Sequence, residues 1–89
     1  MISTFTIGGY VESVAGHDSG KYYVIIRIDD EYVYLVDGKI RTLDRPKKKK
    51  LKHVRELSEY DQELAKKVTS GKARDEEIKR AIKLLRDRL

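Results

Sequence analysis

Short apolar runs of strand length mark the first half of this chain, and apolar side chains recur at helical spacing after Arg55. Tyr22 to Ile28 reads YYVIIRI, with Tyr22, Val24, Ile26 and Ile28 on one face of an extended segment and Tyr23, Ile25 and Arg27 on the other. A mostly buried strand is expected there. A second apolar run, Tyr32 to Val36, follows the acidic triplet Asp29-Asp30-Glu31, which resists burial and suits a tight turn. Asp37-Gly38 then separates that run from Lys39 to Leu43 (KIRTL). A two-residue Asp-Gly loop accepts the positive φ angles of a type I′ hairpin, so KIRTL is expected to return as a strand. Upstream, Phe5 to Val14 predicts a first strand with Ile7, Tyr10 and Val11 available to a core, ending in a polar loop over residues 15–20. Gly8 and Gly9 within it predict a bulge or the close approach of another backbone.

Beyond Arg55, Leu57, Tyr60, Leu64 and Val68 share one helical face, with Ser58 to Asp61 as a capping pair and Ser70-Gly71 as the stop. A second helix is predicted from Asp75, capped by that carboxylate. Glu76 and Glu77 lie in its first turn, and Ile78, Ala81, Ile82, Leu85 and Leu89 form one stripe. Helices this short are marginal alone, so their stripes must be buried against each other, the strands or a partner. The expected fold is α+β: a small β-barrel of four to five antiparallel strands over residues 1–55, followed by two short C-terminal helices over 56–89.

Composition narrows the function classes. Eighty-nine residues make one small domain with little room for a large enzymatic cleft, and 39% hydrophobic content is too high for full disorder. There is no cysteine, so no disulfide or thiolate metal site exists, and His17 and His53 belong to no set with metal-ligand spacing. No metal and no cofactor are expected. Apolar stretches reach about five residues, against the roughly 20 that cross a bilayer, and the N-terminus lacks an export-signal pattern. A cytoplasmic protein without a membrane span is expected. Ser13, His17 and Asp18 are local to one turn with no oxyanion hole implied, so they do not suggest a catalytic triad.

Charge changes the picture most. The net charge of +5 hides an asymmetry: from Lys39 to Arg55 nine Lys or Arg face one acid, Asp44, while residues 1–38 hold two cations against six acids. So dense a strip repels itself, and a polyanion that releases its counterions on binding offsets that cost. The run Pro46-Lys47-Lys48-Lys49-Lys50 alternates into Leu51 and Val54, which mounts the cations on a folded edge rather than on a solvated tail.

The segment Gly9 to Ile25 (GYVESVAGHDSGKYYVI) resembles the KOW motif, a strand-loop-strand unit of ribosomal proteins and transcription elongation factors. The resemblance rests on Gly9 and Val11 at the opening, the central Gly16, the loop ending in Gly20-Lys21, and the apolar strand beyond. With Val36 to Arg41 and Pro46 to Val54, residues 5–55 are similar to bacterial KOW-domain RNA-binding proteins akin to the eukaryotic-type large-subunit ribosomal protein fourteen. That resemblance implies an SH3-like barrel that contacts RNA through its loops and basic surface. His17 stands where related loops often carry Arg or Lys, which implies a less charged loop. The helical tail lies outside the motif.

Candidate RNA contacts follow. Ser19 and Lys21 offer phosphate contacts from the loop, and Arg41 and Arg45 would project to one face of a straight strand, where guanidinium groups fork onto phosphates or stack on bases. Lys47, Lys48, Lys49 and Lys50 would track a phosphate backbone without sequence choice, and Lys52, His53 and Arg55 complete the strip. Tyr10, Tyr22, Tyr23, Tyr32 and Tyr34 invite base stacking, but tyrosines in so small a barrel mostly bury their rings, and Tyr10 and Tyr23 are expected to be the exposed pair. The expected function is non-enzymatic RNA binding, on ribosomal RNA or the large ribosomal subunit. The alternatives are a protein-interaction module of the translation or transcription machinery and binding of DNA by the same strip.

Overall fold

Five strands and two helices make up the computed structural model, which describes residues 5–89. The strands are β1 (Tyr10–Ser13), β2 (Tyr22–Asp29), β3 (Tyr32–Val36), β4 (Lys47–Lys50) and β5 (Val54–Glu56). A single 3-10 turn, Leu51–His53, joins β4 to β5, and helices α1 (Gln62–Thr69) and α2 (Asp75–Arg88) follow. The strands form one antiparallel sheet in the order β4-β3-β2-β1-β5, with no ladder between β4 and β5 among the described residues.

Alternation along the strands divides the interior in two. Tyr10, Val24 and Val36 point to one face, where Leu64 of α1 and Ile78, Ile82 and Leu85 of α2 cover them. Val11, Tyr23, Ile25, Val33, Leu35 and Val54 form a second cluster on the other face. Each fully buried aliphatic side chain contributes about 1.5–3 kcal/mol, so α2 is held by three such anchors rather than by intrinsic helicity. Leu89, expected on the same stripe, is 58% exposed.

The register of β2 against β3 departs from strict alternation. Ile25 pairs with Leu35, but the next partner of β3, Tyr34, meets Arg27, so Ile26 is an extra residue. A one-residue bulge reverses every later side chain. Ile28 therefore packs with Tyr23, Ile25 and Val33 instead of sharing a face with Tyr22, Val24 and Ile26.

Asp37-Gly38 does not open a hairpin, and KIRTL is not a strand. Oδ1 of Asp37 accepts the backbone N–H groups of Lys39, Ile40 and Arg41 at 2.9, 3.0 and 2.8 Å, closing a compact loop. Gly38 keeps its expected positive φ, +78°, but for a tertiary reason as well: a Cβ there would lie 2.2 Å from the carbonyl oxygen of Asp75. The partner of β3 is the lysine run itself. Arg41 and Arg45 consequently do not share the face of a strand.

The helix boundaries also move. Residues 54–56 extend the sheet, and Leu57 N–H donates to the Tyr10 carbonyl at 3.0 Å, so α1 begins only at Gln62. Asp61 alone caps it, accepting from the N–H groups of Glu63 and Leu64 at 3.0 and 3.1 Å. Asp75 does not cap α2. Its carboxylate accepts the Leu43 N–H at 2.8 Å and ties the 37–46 segment to the helix, while Glu77 accepts the Arg74 N–H at 3.1 Å. The expected close backbone approach at Gly8-Gly9 is present: a Cβ on Gly8, at φ +87°, would fall 2.5 Å from Cα of Ala65 in α1.

Candidate nucleic-acid interface

The four consecutive lysines of β4 have two fates. Lys47 and Lys49 oppose Leu35 and Val33 and turn toward the second apolar cluster, while Lys48 and Lys50 oppose Tyr34 and Tyr32 and turn outward. On the inner side waits Asp18, 5% exposed, supplied by the polar loop after β1. Its carboxylate binds Lys47 Nζ at 3.0 Å and Lys49 Nζ at 2.8 Å, and it accepts from Ser13 Oγ at 3.0 Å and the Tyr23 hydroxyl at 3.2 Å. Lys49 also donates to the Ala15 carbonyl at 2.8 Å. Burial would raise the Asp18 carboxyl, but hydrogen bonds from Lys49, Lys47 and Ser13, with the Lys47 charge, hold it far below the usual carboxylate range. The same burial, together with the Asp18 charge, pushes the Tyr23 phenol up to about 12. This is a satisfied internal ion cluster, and it pins the polar loop to β4.

The outward side is chemically different. Lys48 Nζ sits 4.3 Å from the centre of the Tyr32 ring and Arg27 Cζ sits 5.2 Å from that of Tyr34, both within cation–π range. Arg27 lies 3.9 Å from Asp29 across an exposed pair, and neither Lys48 nor Lys50 meets a carboxylate among the described residues. Cations and half-buried tyrosines are thus interleaved on one face of β2, β3 and β4. Such a surface offers both phosphate neutralisation and flat π faces. The tyrosines that face solvent are not the expected pair: Tyr10 is 1% and Tyr23 3% exposed, because β1 and the start of β2 are covered on both sides.

The other sequence candidates are dispersed. Ser19 and Lys21 are exposed on the loop, where Gly16 and Gly20 shape the turn, with Gly20 N–H bonded to the Ser13 carbonyl at 2.8 Å. Gly9 and Val11 are buried at the start of the motif. Lys39 and Arg45 are exposed and Arg41 is half-buried in the 37–46 segment. Lys52 is exposed and His53 half-buried in the 3-10 turn, where the His53 carbonyl accepts the Val14 N–H at 2.9 Å. Arg55 binds Glu12 across the β1–β5 ladder, at the other end of the strand order from β4.

The roles of Asp18 and Arg27 are not visible in the run of charge, and Tyr32 and Tyr34, two of the five candidate stacking tyrosines, take the outward place expected of Tyr10 and Tyr23. Strand alternation applied to KKKK would have predicted an inner and an outer pair. The one acid in the Gly16–Gly20 loop was the available partner for the inner one. Among the described residues no group of three or more His, Cys, Asp or Glu is placed to hold a metal, and no helix is long and apolar enough to cross a membrane. Compared with protein-family models and with curated proteins, the chain finds no match.

Proposed function

We propose that this chain is a non-enzymatic RNA-binding protein of the KOW type, built on an SH3-like barrel and acting on ribosomal RNA or the large ribosomal subunit. The observation that carries the reading is the outward face of β2–β4, where Arg27, Lys48 and Lys50 alternate with Tyr32 and Tyr34. The two edge strands of the sheet are joined by one 3-10 turn, and this supports reading the strands as a curled barrel.

In this reading the exposed ammonium and guanidinium groups neutralise phosphates, and unpaired bases lie on the tyrosine rings. Side-chain stacking of that kind contributes about 1–3 kcal/mol per base. Lys47 and Lys49 act indirectly, since their bonds to Asp18 hold β4 in register and so present Lys48 and Lys50. A protein-docking role for the helical stripe loses its support, because Ile78, Ile82 and Leu85 are already buried against the sheet.

The test is competition at about 0.1 M salt, where nonspecific polyanion binding is weakened. A structured ribosomal RNA fragment should hold the protein against heparin and against duplex DNA. Equal displacement by heparin would remove the claim of RNA recognition, and preferential displacement by duplex DNA would reassign the surface to DNA.

A further inference from the structure

Helix α2 is not only a core element. On its solvent side Lys79, Lys83 and Arg86 follow one another at helical spacing, four and three residues apart, and project along one face. That face forms one wall of a groove of about 630 Å³. The opposite wall comes from the two loops that the sheet holds against the helix, with Lys21 from one and Lys39 from the other. Tyr22, Ile40 and Ile82 supply an apolar floor, and Ile40 is 68% exposed there. The volume lies within the range of ordinary ligand sites.

The charge of the groove is one-sided. Six cationic side chains line it against two carboxylates, Asp37 and Glu76, and one oxygen of Asp37 is turned to three backbone N–H groups of its own loop. Lys21, Lys39, Lys79, Lys83 and Arg86 form no ion pair among the described residues. A smaller hollow shares Lys21, Asp37 and Ile40 with this groove and continues through Arg41 to Lys47, the first residue of β4. Cations thus flank a path from α2 past both loops to the start of β4, where Lys47 is already bound to Asp18.

We infer that this groove binds a single-stranded segment of RNA, with its phosphates on Lys79, Lys83, Arg86, Lys21 and Lys39 and a base or ribose over Ile40. The inference rests on the RNA reading above and extends the interface to the C-terminal helices. A path flanked by cations in this way suits a long polyanion better than a short acidic peptide. An apolar floor between cationic walls suits an unpaired strand better than a duplex, whose bases are turned inward.

Isotope-labelled full-length protein titrated with a short unstructured oligoribonucleotide tests it, with amide shifts as the readout. The expected result is movement at Gly20, Ile40, Lys79 and Lys83 as well as at Tyr32 and Tyr34. In the triple variant Lys79→Gln, Lys83→Gln, Arg86→Gln, which keeps good helix formers at exposed positions, the Gly20 and Ile40 shifts should vanish. Those at Tyr32 and Tyr34 should remain. Affinity should fall roughly tenfold at 0.1 M salt, and the salt dependence, as log K against log salt, should flatten by about 2. Shifts confined to Tyr32 and Tyr34 would overturn the groove while leaving RNA binding intact. No shifts at saturating RNA would overturn both. Movement of the groove amides by an oligoglutamate peptide but not by RNA would overturn the inference in favour of an acidic protein partner.

Discussion

Lys47 and Lys49 differ from Lys48 and Lys50 only in parity along one strand, yet the inner pair is bound to a buried carboxylate and the outer pair to tyrosine rings or solvent. A charge count treats all four alike. The structure shows instead that strand alternation sorts them, and that the inner pair is tolerated because one loop delivers Asp18 to meet it. A lysine in the interior without that partner would cost several kcal/mol. The basic strip is therefore partly scaffold: of its nine cations, Lys47, Lys49 and Arg55 already meet carboxylates.

Asp18→Ala leaves the inner pair without a counter-charge. Unfolding free energy should drop by about 3–5 kcal/mol in urea titration, whereas the double change Lys48→Gln, Lys50→Gln should stay within about 0.5 kcal/mol of the parent. Similar losses in the two variants would show that parity does not separate the roles.

Acid should expose the same cluster. The folded-state Asp18 carboxyl is depressed, so its contribution is fully present above the unfolded value of about 3.9 and is lost as pH falls below that toward the folded value. Stability measured against pH should therefore decline below about pH 4 more steeply in the parent than in Asp18→Asn. Parallel curves would mean that Asp18 is not the group held by the lysines.

Exchanging the rings sharpens the contrast. Tyr32→Leu should cost about 1–3 kcal/mol of RNA affinity by titration if a base stacks there, with a stability change of about 1 kcal/mol or less from the lost cation–π contact. Tyr23→Phe should do the reverse. Removing its hydroxyl from Asp18 should lower stability by about 1 kcal/mol with RNA affinity unchanged.

The smallest expected effect is electrostatic. Lys48→Gln with Lys50→Gln should weaken binding to all RNA sequences alike and flatten the log K against log salt dependence by about 1–2. A change in sequence preference instead would mean that these lysines read bases.

Much of the architecture was legible along the chain, and the failures have physical causes. YYVIIRI and YVYLV announced β2 and β3 because both faces of each are apolar, and Gly8-Gly9 announced a bulge or a close backbone, which the structure identifies as α1. The KIRTL hairpin failed because the Asp37 side chain captured three amides that a strand would have offered to the ladder. The choice of Tyr10 and Tyr23 as exposed failed because their positions lie where the sheet is covered on both faces, one side by the helices and the other by the second cluster. The groove beside α2 had no signature at all, since its walls are about 40 to 65 residues apart in sequence.

Periodicity, the concentration of positive charge between Lys39 and Arg55, and the Asp61 cap of α1 are local properties, legible along the chain without its fold. Which lysines remain free, which tyrosines meet solvent and what α2 faces were decided only in the tertiary structure. The physical reason is that burial and ion pairing are set by partners brought from far along the chain. Asp18 reaches Lys49 across 31 positions, Asp75 reaches Leu43 across 32, and a single bulge in β2 sets which side of the sheet each later residue occupies.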